Sequence, residues 1–224
     1  TGVITRMGSV DNGNTISDYD SEEIKRKFSI NAAVIPIEWN GLKINILDAP
    51  GYFDFVGQTE DAMSVADAAV IVVNGKAGLE VGTIKAWEIC ERRKIPRIFF
   101  ITGMDDPNAK YMETVKQLKE TFGKQIAPFH LPIIEDGILT GYVNVVKMGG
   151  RKFVGDNGEY VERDIPDNLE SDLIPCREQL MEAVAESDEE LMDKYFSGEE
   201  FSNEEISKAL RKSVISCDIV PVQI

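Results

Sequence analysis

Two continuous apolar runs, "DAAVIVVN" (67–74) and "PRIFFIT" (96–102), constrain this chain most. Neither alternates polar with apolar residues. Each therefore predicts a strand covered on both faces, as in a parallel sheet. Parallel neighbours need a crossover, and the stretch between them places Val81, Ile84, Trp87 and Cys90 on one side of a helix with charges opposite. Tyr111, Val115, Leu118 and Phe122 repeat that pattern after the second run. Strand, helix, strand, helix predicts an α/β fold with a mostly parallel sheet. A chain of 224 residues suffices for one domain, or for one domain with a subdomain inserted.

The flanking segments complete the plan. Residues 1–27 are polar, with a turn at "DNGNT" (11–15). "INAAVIPIEW" (30–39) predicts a strand, which Pro36 confines to a sheet edge because it cannot donate to a ladder. Asn40-Gly41 is a two-residue hairpin signal, and "LKINILDA" (42–49) is the returning strand. From Ile126 the texture changes to short strands with Gly and Asn turns, then helices at 168–186, 188–197 and 203–213. Ser187 with Glu190, and Ser202 with Glu205, have capping-box spacing. "DIVPV" (218–222) then predicts one more core strand. The expected organisation is a core over 1–125, an inserted α+β subdomain over 126–215, and a strand returning to the core over 216–224. Trp39 and Trp87 are expected to pack in the core or against strands, and His130 to be structural.

Composition narrows the function. The net charge is −15, which argues against general nucleic-acid binding, because phosphate contacts need clustered Lys and Arg. Acid concentrates between Glu182 and Glu205, either as solvated helix faces or as a docking surface for a basic protein partner. Cys90, Cys176 and Cys217 have no paired spacing, so the sequence predicts neither a disulfide framework nor a zinc site and fits a reducing cytosol. No apolar run is long enough for a membrane span. The chain starts at Thr1 and stops on "DIVPVQI", so a fragment of a longer protein is expected.

Three segments can carry chemistry. "NILDAPGYFDFVG" (45–57) ends a strand on Asp48-x-x-Gly51. An Asp at the end of a parallel-sheet strand can hold a Mg²⁺-bound water, and a Gly beside it lets its N–H approach a terminal phosphate. "ITGMDD" (101–106) puts Asp105 in a loop after a strand, where its carboxylate can accept from a purine base. "KRKFSINAA" (25–33) offers one hydroxyl, Ser29, ahead of the edge strand. Taken alone, each is an ordinary turn or surface residue; their order and spacing are the stronger signal.

In that order, the blocks resemble the guanine-nucleotide domain of elongation factor G-like translational GTPases. "TGVITRMGSVDNGNT" and "DYDSEEIKRKFSI" are similar to the first switch region. "INILDAPGYFDF" is similar to Asp-Thr-Pro-Gly-His-Val-Asp-Phe, and "KIPRIFFITGMD" to the block carrying Asn-Lys-Met-Asp. "FHLPI", "GYVNVVKM", "DEELMDKYFSGEE" and "DIVPV" are similar to the inserted subdomain and the strand that leaves it. The resemblance implies a three-layer, P-loop NTPase-like fold, GTP or GDP with Mg²⁺, the ribosome as partner and a cytoplasmic location. It implies Ser29 and Asp48 at the metal, Gly51 at the γ-phosphate, Tyr52 at the attacking water, and Thr102 and Asp105 at the base. The family's Gly-x-x-x-x-Gly-Lys-Thr loop is not among these residues. Gly75-Lys76 and Gly123-Lys124 lack both the earlier Gly and the following Ser or Thr.

The chain departs from the family at the chemistry. Tyr52 replaces the histidine that orients water, Thr102 and Gly103 replace Asn and Lys of the base-reading motif, and Asn74 stands where the family tends to have Asp. Slow hydrolysis and weakened nucleotide affinity are expected. The alternative is a non-catalytic module that keeps the fold and docks a partner through its acidic insert.

Overall fold

The computed structural model describes residues 8–155 and 159–224. The chain forms two compact units, a first ending at Asp67 and a second, Ala68–Ile224.

In the first unit, α1 (Ser21–Arg26) precedes an antiparallel hairpin of β1 (Ala33–Trp39) and β2 (Leu42–Asp48). The hairpin turns on Asn40 and Gly41 with φ of 48° and 75°, the doubly positive geometry that matches strand twist. Pro36 pairs opposite Asn45 in this two-stranded ladder. A single 3₁₀ turn (Phe53–Phe55) leads into α2 (Val56–Val65). Sequence reasoning missed α1, and it started the strand three residues early. Both differences have one cause. Glu23 on α1 takes the backbone N–H groups of Ile30 and Asn31, and Gln58 takes that of Ala32, so 30–32 cannot join the ladder. Trp39, expected to pack, is instead exposed at the hairpin tip.

The second unit holds a four-stranded parallel sheet in the order β3-β4-β10-β5. Its strands are β3 (Ala69–Asn74), β4 (Arg97–Thr102), β5 (Ile126–Pro128) and β10 (Val220–Gln223). The crossover α3 (Val81–Arg93) packs on β3, and α4 (Tyr111–Phe122) packs on β5. Trp87, Phe99 and Phe122 stack at the centre, and the buried Arg97 guanidinium lies 3.7 Å from the Trp87 ring. Cys90 is fully buried, as its helix face predicted. The prediction of cover on both faces fails at β3. Ile71 and Val73 are buried toward α3, but Val70 and Val72 are each 60% exposed on this edge strand.

β6 (His130–Glu135), β7 (Ile138–Asn144), β8 (Gly149–Val154) and β9 (Glu159–Arg163) form an antiparallel meander. Three helices follow: α5 (Glu170–Ala185), α6 (Glu189–Ser197) and α7 (Asn203–Ile215). Ser202 and Glu205 make the capping box expected of them. Ser187 does not cap α6. Its hydroxyl donates to Val184 O, and the neighbouring Asp188 accepts from Glu190 N. β5 pairs with β10 in the parallel sheet, although the insert was expected to open at Ile126.

Candidate functional site

The first group of site residues is built by α1. Asp20 caps the helix by accepting from Glu22 N, and Glu23 reaches back to Asp20 N at 3.1 Å. The second Glu23 oxygen accepts from Ile30 and Asn31, 2.9 Å each. Burial alone would raise this carboxyl's pKa, but the backbone donors of Asn31, Ile30 and Asp20 more than offset it and hold it below its usual value. The helix ends on Lys27 at φ 60°, which turns Phe28 and Ser29 into place.

Ser29 Oγ donates to Asp18 Oδ1 at 2.7 Å. Asp18 is buried, and its other oxygen takes the Thr15 hydroxyl at 3.4 Å. A hydroxyl has one proton and two lone pairs. With the proton committed to Asp18, the lone pairs of Ser29 remain for a cation. Phe28 sets its ring 4.8 Å from that of Tyr52 and 6.3 Å from that of Phe55. The structure thus joins the Ser29 segment to the Tyr52 segment through an aromatic contact.

Asp48 closes β2 opposite Ala33. Gly51 is exposed, and a Cβ built there meets nothing within 4 Å, so the space on the side-chain side of this residue is open. Tyr52, 58% exposed, precedes the 3₁₀ turn, and Thr59 on α2 ties the loop down by donating to Pro50 O. Ser29 and Asp48 are hard oxygen donors of the kind Mg²⁺ takes. Two protein ligands suffice where phosphates and waters supply the rest, so these residues fit that ion.

The base-reading candidates lie in the second unit. Thr102 ends β4 in register with Asn74 at the end of β3. The Thr102 hydroxyl faces Val73 O at 3.5 Å, and its carbonyl accepts from Gly75 N. Gly103 sits at φ +67°, a left-handed conformation that L side chains resist. Asp105 is exposed. The next residue, Asp106, is engaged instead. It accepts from Asn108 N and the Asn108 amide, and it pairs with Lys76 at 3.0 Å. The Asn108 backbone, Lys76 and the Asn108 side chain pull its carboxyl down to about 2.

The signature of the elongation factor Tu GTP binding domain matches residues 1–218. The chain belongs to the elongation factor Tu GTP-binding domain family. Elongation factor G of Thermotoga maritima is 36% identical over 217 residues, which is 96% of this chain and 31% of that protein. Elongation factor G of a second Thermotoga strain is 37% identical over the same length. This GTP-binding domain therefore spans about a third of the length of the curated relatives it matches. A crystal structure of a Thermus thermophilus protein superposes with a TM-score of 0.91 at 34% identity, covering 100% of this chain and 33% of that one. The parallel sheet with its crossover helices is the family's P-loop NTPase-like fold, and the expected kinship with elongation factor G is correct.

For a member of the elongation factor Tu GTP-binding domain family, three contributors were not singled out from sequence: Asp18, Glu23 and Phe28. Asp20-x-x-Glu23 carries the capping-box spacing, with Asp at the cap, so a signal for α1 was present. Nothing local marks Asp18 as the acceptor for Ser29, because that contact spans eleven positions.

Proposed function

We propose that this chain is the GTP-binding part of an elongation factor G-like protein that works on the ribosome, in translocation, in the cytoplasm. GTP and GDP are its ligands, with Mg²⁺. The observation that carries the reading is the Ser29–Asp18 bond, which leaves the switch hydroxyl's lone pairs to a cation. In this reading Ser29 and Asp48 hold the ion, and the Gly51 N–H meets the γ-phosphate. Tyr52 faces the attacking water, Asp105 accepts from the guanine base, and Thr102 lies beside it. Bound Mg²⁺ neutralises charge on the phosphates, and the residues of the chain position them. Residues 1–125 act as the nucleotide core and 216–224 as the returning strand; within 126–215, β5 belongs to the parallel sheet beside β10, and the meander with α5 to α7 is the inserted subdomain.

The test is a titration with fluorescent GDP. These 224 residues lack a Gly-x-x-x-x-Gly-Lys-Thr loop, so alone they are expected to bind weakly. The full-length protein is expected to bind at micromolar concentration or tighter. Micromolar binding by the isolated chain would overturn the first expectation, and failure of the full-length protein to bind would overturn the function.

A second reading has its own support. Phe196 is 79% exposed beside Tyr195, whose ring stacks on Phe201, and the exposed Glu199 and Glu200 follow in the chain. An acidic rim around exposed aromatics suits a basic protein partner. With Tyr52, Thr102 and Gly103 at the chemical positions, the chain would then be a binding module. Full-length protein with no nucleotide affinity would favour it.

A further inference from the structure

The base-reading loop has lost an amide at Thr102 and a long side chain at Gly103, yet an amide stands one strand away at the same level. Asn74 is the last residue of β3 and is the register partner of Thr102. Both lie at the carboxyl edge of a parallel sheet, where ligands of such sheets bind.

The orientation of the Asn74 amide is set by its surroundings. Two backbone donors, Lys76 N and Ala77 N, each reach Asn74 Oδ1 at 3.0 Å. Only the carbonyl oxygen can accept, so the NH₂ group must point the other way. It points at Gly103: a Cβ added there would lie 3.1 Å from Asn74 Nδ2. The residue is exposed, and among the described residues no acceptor is bonded to that NH₂. Thr102 cannot supply the donor itself. Its side chain is shorter, and its hydroxyl is turned back toward Val73 O. Gly103, at φ +67°, leaves the space beside the amide clear.

We propose that Asn74 supplies from β3 the amide donor that the base-reading loop lacks, and that its NH₂ reads the N7 and O6 acceptors of guanine. The proposal rests on the reading of this domain as a guanine-nucleotide site. Guanine presents two acceptors along that edge, whereas adenine replaces O6 with a donor. An aspartate at position 74 would keep the acceptor for Lys76 N and Ala77 N. It would lose the donor and turn an anion toward the acceptor edge. Asn and Asp therefore differ here mainly in what they offer the base.

The experiment measures GDP affinity in the full-length protein for the wild type, Asn74→Asp, Asn74→Ser, and Asn74→Asp combined with Thr102→Asn. Asn74→Asp is expected to weaken GDP about tenfold, the scale of one lost hydrogen bond. The double variant, which puts the amide back on β4, is expected to recover most of that loss. A purely structural role for Asn74 would not be rescued in this way. Asn74→Ser keeps a turn-capping oxygen, should the aspartate impair folding, and is expected to lose affinity as well. GDP binding by both single variants within twofold of wild type would overturn the proposal, as would a loss that Thr102→Asn leaves unrepaired. A wild type that binds no guanine nucleotide would overturn the proposed function itself, and the role of Asn74 with it.

Discussion

Under the proposed function, Tyr52 and Gly103 are the two positions whose exchange has the clearest expected consequences. A phenol cannot accept and return a proton near neutral pH as an imidazole does. The Tyr52 ring leans on Phe28 but is largely exposed, so the position has room for a smaller ring. Tyr52→His in the full-length protein is expected to raise GTP turnover about 10²-fold, within the range of one positioned acid–base group. Phosphate release under multiple turnover measures it, and an unchanged rate would remove this position from the chemistry. Gly103→Lys would supply the side chain that the resemblance leads one to expect there, but it is expected to destabilise the domain by about 1–2 kcal/mol, because a left-handed backbone disfavours a Cβ. The added Cβ would also crowd the Asn74 amide at 3.1 Å. Chemical denaturation reports that loss. Sequence named both positions because each departs from the pattern that the resemblance implies. The partners that give them meaning, Phe28 and the oriented amide of Asn74, became visible only once the chain was folded.

At the scale of elements, α1 shows how one side chain decides where a strand begins. Glu23 is buried and accepts from three backbone N–H groups, those of Asp20, Ile30 and Asn31. Glu23→Ala would leave all three without that partner, at a cost of about 3 kcal/mol or more. Amide exchange at Ile30 and Asn31 is expected to speed up sharply, while exchange along β2 changes little. Protection at 30 and 31 equal to wild type would refute this account of the segment. The regular elements were legible in the sequence for a simple reason. Apolar runs such as 69–74 and the Asn40-Gly41 turn are decided by neighbours in the chain. The start of β1 was not legible, because side chains from α1 and α2 consume the donors of 30–32. The exposed face of β3 escaped for a related reason: an apolar run reports burial potential, and it does not say which layers are present to cover it.

Across the second unit, acid should act in two stages. His130 packs its ring 4.3 Å from that of Tyr142 at a tilt of 37°, and its Nδ1 is buried without a partner among the described residues. Burial pushes its pKa down to about 4, below the ordinary 6.5. The folded state therefore favours the neutral ring. Its contribution is complete above pH 6.5 and is lost as pH falls toward 4, because the unfolded chain takes up the proton first. Asp106 and Glu205 have carboxyls held down to about 2, the first by Asn108 and Lys76, the second by Lys194 and Ser202. Their contribution is lost in a lower window, as pH falls from about 4 toward 2. Melting curves should show two declines, and His130→Phe should flatten the upper one alone. The overall α/β plan was readable because strand and helix periods alternate. What could not be read was the place of the last strand. β10 enters between β4 and β5, and the whole meander and the helices α5 to α7 separate it in the chain from β5. In a nascent polypeptide, β4 and β5 are therefore synthesised with facing edges that have no strand to join them until Val220 has emerged. Such edges are templates for wrong partners. A product truncated before Val220 is expected to aggregate or to be digested, so premature termination or a stalled ribosome near this point would leave α1 to α7 made and the sheet without β10.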